Sequence, residues 1–158
     1  MQTISYPTNS NDPTPQIRIT LIDKWTQTDV KGSVLSALKF ESEKSFSPNI
    51  VTSVLEDSIS SSLEVAMGGV QAYLKTLNNP TKLTDDIGVI GNREWHIAEF
   101  IFKHEIVGDV IQMIATTIEK KDETSYVYRI TGTALSINAK TDFIDIRKML
   151  VTAGIGEE

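Results

Sequence analysis

Two neighbouring stretches, Trp95-His96-Ile97-Ala98-Glu99-Phe100-Ile101-Phe102 and Val110-Ile111-Gln112-Met113-Ile114-Ala115-Thr116-Thr117-Ile118, are apolar on both sides of an alternating pattern. In the first, Ala98, Phe100 and Phe102 oppose Trp95, Ile97 and Ile101; in the second, Ile111, Met113 and Ala115 oppose Val110, Ile114 and Ile118. Successive side chains of a strand point to opposite faces, so each strand needs an apolar layer above it and another below. The demand points to a sheet that is covered twice.

Turn residues divide the region around these strands. Gly91-Asn92, Val107-Gly108 and Lys121-Asp122-Glu123 separate β-rich segments at 82–90, 93–106, 108–119 and 125–137, which read as an antiparallel meander. Upstream, Ile17, Ile19 and Leu21 alternate with Arg18 and Thr20 as a half-buried strand closed by Trp25. Leu35, Leu38 and Phe40 mark a second strand, and a polar connection over 41–49 follows. Pro48-Asn49 then suits a strand entrance, with Ile50, Val51, Val54 and Leu55 apolar on both sides of the pleat.

Two helices complete the pattern. Ser61-Ser62-Leu63-Glu64 is a capping-box signal, in which a serine hydroxyl and a glutamate three residues on satisfy orphan N–H groups. Leu63, Met67, Val70, Leu74 and Leu77 form the apolar stripe behind it, and Asn78-Asn79-Pro80 predicts the end. Gly68 and Gly69 each cost about 1 kcal/mol against alanine, so close packing on the sheet is expected to offset them. Thr141 or Asp142 is expected to cap a last helix with Phe143, Ile146, Met149 and Leu150 on one side and Gly154 as its stop. The expected fold class is α+β, a three-layer α/β/α sandwich around a mostly antiparallel sheet. Residues 1–16, with Pro7, Pro13 and Pro15 among polar residues, read as a flexible N-terminal tail, and 17–158 as a single domain.

Charge and composition exclude several function classes. Fifteen Lys and Arg against 21 Asp and Glu give a net charge of −6, which disfavours nucleic acid; Lys120-Lys121 runs straight into Asp122-Glu123 at a hairpin tip. The absence of cysteine excludes disulfides, thiolate metal sites and thiol catalysis. Residues 1–16 have neither a charged nor an apolar leader segment, and no run of about 18 apolar residues spans a membrane. A cytoplasmic location is expected for the sequence as written, and an extracytoplasmic one only if it is trimmed.

Catalytic signals are sparse. His96 and His104 lie on one strand, separated by roughly 26 Å at strand rise, so they cannot share a metal. His96 could act singly with Glu94 on its face, although a lone histidine on such a strand is ordinarily a packed one. Glu56-Asp57 and Asp85-Asp86 sit at element ends, where carboxylates usually face water. The serines of 58–62 are better used as helix caps than as nucleophiles. No nucleophile elbow, phosphate-cradling loop, dinucleotide fingerprint or zinc helix motif occurs. No catalytic, cofactor-binding or metal residue is therefore assigned, no cofactor is expected, and the chain reads as a non-enzyme. Trp95, Phe100, Phe102, Tyr126 and Tyr128 could line a pocket for a small apolar ligand, or simply fill a core.

The order of these segments resembles the LpqN-like family of actinobacterial proteins, within the PsbP-like superfamily. The resemblance rests on the 17–27 stretch IRITLIDKWTQ, on SFSPNIVTSV at 45–54, on the amphipathic helix after it, and on GVIGNREWHIAEFIF and VIQMIATTIEKKDETSYVYRITGTA. It covers about residues 17–153 and is specific in order more than in any single motif. It implies an α/β/α sandwich, and a non-catalytic accessory or protein-interaction role, since superfamily members include an extrinsic photosystem subunit and a nuclear import factor that binds a small GTPase. Many members of the branch are lipoproteins anchored through a cysteine, which this chain lacks, and Asp23-Lys24 stands where the family often has proline and glycine. A protein partner is expected, with a small apolar ligand as the alternative.

Overall fold

The computed structural model, which describes residues 1–40, 46–57 and 62–156, places the two-faced strands at the centre of a wide sheet. The elements are β1 (Gln2–Tyr6), β2 (Ile17–Leu21), β3 (Trp25–Thr28), β4 (Leu35–Lys39), β5 (Asn49–Asp57), α1 (Leu63–Leu74), β6 (Thr81–Ile90), β7 (Arg93–His104), β8 (Gly108–Lys121), β9 (Thr124–Leu135), α2 (Ile144–Leu150) and β10 (Gly154–Ile155). Seven strands pair antiparallel in the order β3-β4-β5-β9-β8-β7-β6, and β1-β2-β10 form a small antiparallel sheet. In β8, Val110 to Thr117 are buried without a break.

The two sides of β8 feed different layers. Ile111, Met113 and Ala115 join Ile146, Met149 and Leu150 of α2, Phe143 before it, and Ile17, Ile19 and Leu21 of the small sheet. Val110 and Ile114 join Ala98, Phe100 and Phe102 of β7 and Val70 and Leu74 of α1. The α+β class and the three layers are as expected, but one outer layer is α2 together with a small sheet rather than a helix alone.

Several local expectations need correction. Residues 1–16 are not all tail: Gln2–Tyr6 pair with Leu21–Ile17 across five positions, which satisfies their backbone and buries Ile4. Trp25 opens β3 instead of closing β2, because Lys24 adopts φ 75° and turns the chain between them. Phe40 is 72% exposed, and Leu35, Ala37 and Lys39 are the inward residues of β4. Ser62 caps α1, its hydroxyl accepting from the Val65 N–H at 3.2 Å, whereas Ser61 lies outside the described residues. The helix ends at Leu74, earlier than Asn78, because Thr76 and Leu77 donate to Tyr73 and Leu74 in tighter turns. Gly154 does not stop α2; it begins β10 opposite Arg18.

The α2 layer is fastened by an element that no periodicity foretells. A π-helical stretch, Ala139–Phe143, precedes α2 and turns the Asp142 carboxylate inward instead of leaving it as a cap. Lys39 Nζ donates to Asp142 at 2.9 Å and to Asp145 at 3.4 Å, and Trp25 Nε1 donates to Asp145 at 3.2 Å. The Asp142 carboxylate raises the Lys39 pKa above the ordinary lysine value against the opposing effect of burial. The lysine's contribution is thus fully present at neutral pH and is lost as pH rises through its raised pKa. Arg147 of α2 adds a two-pronged pair to the buried Glu99 of β7, at 2.7 and 2.9 Å.

Two substitutions test this layer. A Cβ added at Gly132 would stand 2.3 Å from Ile146 Cγ2, a branched atom in a fully buried side chain that has nowhere to move. Gly132→Ala is expected to cost about 2 kcal/mol by overpacking, read in urea unfolding. Lys39→Met strands the Asp142 carboxylate, and a loss of about 3 kcal/mol is expected at neutral pH, with part recovered when Asp142→Leu is added.

Candidate functional site

A seven-stranded sheet with about 4.8 Å between strands presents a face about 29 Å wide, whereas one helix with its side chains covers about 10 Å. Helix α1 lies over β8 and β7, and the same face of β9 and β5 is left beside it. Along that border runs a groove of about 510 Å³. Its wall is Gly69, Val70 and Tyr73 of α1; its floor is Ile114, Thr131 and Thr133; Asn49 and Val51 form the rim. A volume of this order is that of a small-molecule site.

Each end of the groove is polar. At one, the Tyr73 hydroxyl donates to Gln112 Oε1 at 2.9 Å and Gln112 Nε2 donates to Thr133 Oγ1 at 3.0 Å; burial raises the Tyr73 pKa, keeping it neutral. At the other, Arg129 Nη2 donates to the Ala66 carbonyl at 2.7 Å. Gly69 permits this approach, since a Cβ there would meet Nη2 at 2.6 Å, while Gly68 faces open space. The close packing expected of the glycine pair therefore belongs to Gly69 alone. Burial lowers the Arg129 pKa, its Nε–H is buried without an acceptor, and no carboxylate pairs with it among the described residues.

A second polar cluster lies on the same face of the sheet. His96 of β7, Thr116 of β8 and Arg129 of β9 are direct cross-strand neighbours. His96 is fully buried, with Nε2 2.6 Å from Asp85 Oδ1, while His96 Nδ1 and Thr116 Oγ1 have no partner. Asp85 also accepts from Lys82 at 2.8 Å and Gln71 at 3.2 Å, so it does not simply face water as its position predicts. Lys82 first and His96 second draw its pKa down to about 2. His96 thus takes Asp85 as its partner, not Glu94, and the dyad is closed to solvent on the histidine side with no hydroxyl in hydrogen-bond contact. His104 sits at the far end of β7, its Nδ1 accepting from the Ile106 N–H at 3.1 Å.

The five aromatics do not line one pocket. Trp95, Tyr126 and Tyr128 are buried toward α2, and Phe100 and Phe102 toward α1. A wider crevice of about 1210 Å³ lies between 7–16 and the end of β8, where Arg18 donates to the Gly156 carbonyl, Arg93 pairs with Glu119, and Lys121 donates to the Pro13 carbonyl. Arg129 and Tyr73 escape sequence reasoning, whereas Gly69 is singled out by it for close packing only. The one available signal is an arginine within the near-continuously buried strand Tyr126-Val127-Tyr128-Arg129-Ile130.

No family model matches the chain, and no curated protein matches it. Among solved structures it is similar to that of LpqN, involved in cell envelope biogenesis of Mycobacterium tuberculosis, with a TM-score of 0.80 and 12% identity over 99% of this chain and 93% of that one. It is also similar to the solution structure of cyanobacterial PsbP (CyanoP) from Synechocystis sp. PCC 6803, with a TM-score of 0.56 and 10% identity over 97% and 92% of the two chains. The chain has an LpqN-like, PsbP-like fold. No helix among the described residues is long and apolar enough to cross a membrane.

The depressed Asp85 pKa fixes a pH dependence. Its contribution to stability is present above the ordinary carboxylate range and is lost as pH falls toward 2. Asp85→Asn is expected to lower the midpoint of thermal unfolding at pH 7, with the difference from the parent protein closing below pH 3.

Proposed function

We propose that the protein is a non-catalytic accessory module that acts by binding a protein partner, and that strand β6 is the pairing edge. This strand ends the seven-stranded sheet, so among the described residues one row of its backbone groups has no strand beside it. Ile87 and Val89, two residues apart and so on one face, are 52% and 70% exposed. Proteins usually blunt such an edge. Here the irregularity between Lys82 and Thr84 disturbs only the beginning, and the register from Thr84 to Ile90 is regular. An extended segment with apolar residues at alternate positions is the partner such an edge accepts.

The full burial of His96 supports the non-catalytic reading, because a general base must reach its substrate's proton. The likeness to LpqN supports cell envelope biogenesis as the setting. A second reading, a carrier of a small apolar ligand, is favoured by the groove beside α1.

Crosslinked capture from cells of the source organism, with the parent protein and Val89→Lys side by side, tests the leading reading. One stoichiometric partner, reduced at least tenfold by the lysine, is expected. A blank with both proteins contradicts it, and so does turnover of any substrate that His96→Ala abolishes.

A further inference from the structure

The groove beside α1 has a property that its apolar lining does not require. Of the described residues that form it, Arg129 is the only charged one. The guanidinium makes one hydrogen bond, to the Ala66 carbonyl, and keeps a buried Nε–H without an acceptor. A half-buried cation with an unused donor is costly unless something anionic completes it. The long-range field of the protein, at −6, repels anions, so an anion held here must be held at contact distance.

Resting on the carrier reading, we infer that the groove holds a single-chain fatty carboxylate, with its head on Arg129 and its chain along Val70, Ile114 and Val51. A carboxylate matches the planar fork of one guanidinium and brings one negative charge. A phosphate monoester brings up to two negative charges and calls for a further cation, which the described residues of the lining do not supply. The far end, closed by Tyr73, Gln112 and Thr133, satisfies its own hydrogen bonds and has no charge to offer a second head group. Gly69 is the positioning residue: its missing Cβ lets the guanidinium lie against the helix and donate to the Ala66 carbonyl.

Isothermal titration with dodecanoate and with uncharged dodecanol separates the head from the chain. The parent protein is expected to bind dodecanoate at least tenfold more tightly than dodecanol, and Arg129→Gln to erase that difference. Gly69→Ala is expected to weaken dodecanoate alone, without lowering the unfolding midpoint, because the atom it displaces is the tip of a flexible side chain. Val51→Trp, which fills the groove and leaves Arg129 in place, is expected to weaken both ligands. Equal binding of acid and alcohol overturns the carboxylate anchor and leaves the carrier reading standing. Binding of neither overturns both, and dodecanoate binding unchanged in Gly69→Ala and Val51→Trp places any anion site elsewhere and overturns the proposal.

Discussion

The structure depends on a strand that must be dry on both faces. Eight consecutive buried residues in β8 leave no side on which the chain can meet water, so it must have neighbours on each flank and a layer above and below. Strands β7 and β9 supply the flanks along most of its length. The two layers are unequal: α2, the π-helical stretch before it and the small sheet cover one face broadly, and α1 covers part of the other. Every feature with a claim to function lies where coverage runs out, in the groove beside α1 or along the free edge of β6.

The broad layer is held by more than apolar contact. Lys39 sits on the inner face of β4, where an unpaired ammonium would not be tolerated, and Asp142 and Asp145 meet it from the opposing helical segment. A buried ion pair adds little net stability compared with a well-packed apolar pair, but it fixes which surfaces meet. Gly132 sets the distance at which they meet, since Ile146 occupies the space a side chain would need. Arg129 on the opposite face has no such partner among the described residues, and this asymmetry marks the groove as different from the core.

Much of the fold is legible in the residues. The period-two pattern of 93–118 places Trp95 and Phe100 on their correct opposite faces, and the turn residues at Gly91, Gly108 and Asp122 all adopt positive φ where the hairpins require it. Strand β1 is hidden because Pro7, Pro13 and Pro15 dominate the composition of its neighbourhood, while Ile4 alone points inward within it. Asp142 reads as a helix cap, and nothing local shows that it will meet Lys39, 103 residues away. The groove is not legible for a related reason. It exists because β5 pairs with the distant strand β9 as well as with its sequence neighbour β4, which sets Val51 opposite Thr131 and leaves that part of the face beyond the reach of α1.

A small ligand is expected where the sheet face is left uncovered beside α1, and not in the larger crevice near the N-terminal segment. Backbone amide chemical-shift mapping by NMR during titration with dodecanoate tells the two places apart. Shifts concentrated at Gly69, Val70, Thr131 and Thr133, with 7–16 and Lys120 unmoved, are expected. Shifts gathered around 7–16 and the end of β8, or a spectrum unchanged at saturating ligand, would contradict this placement.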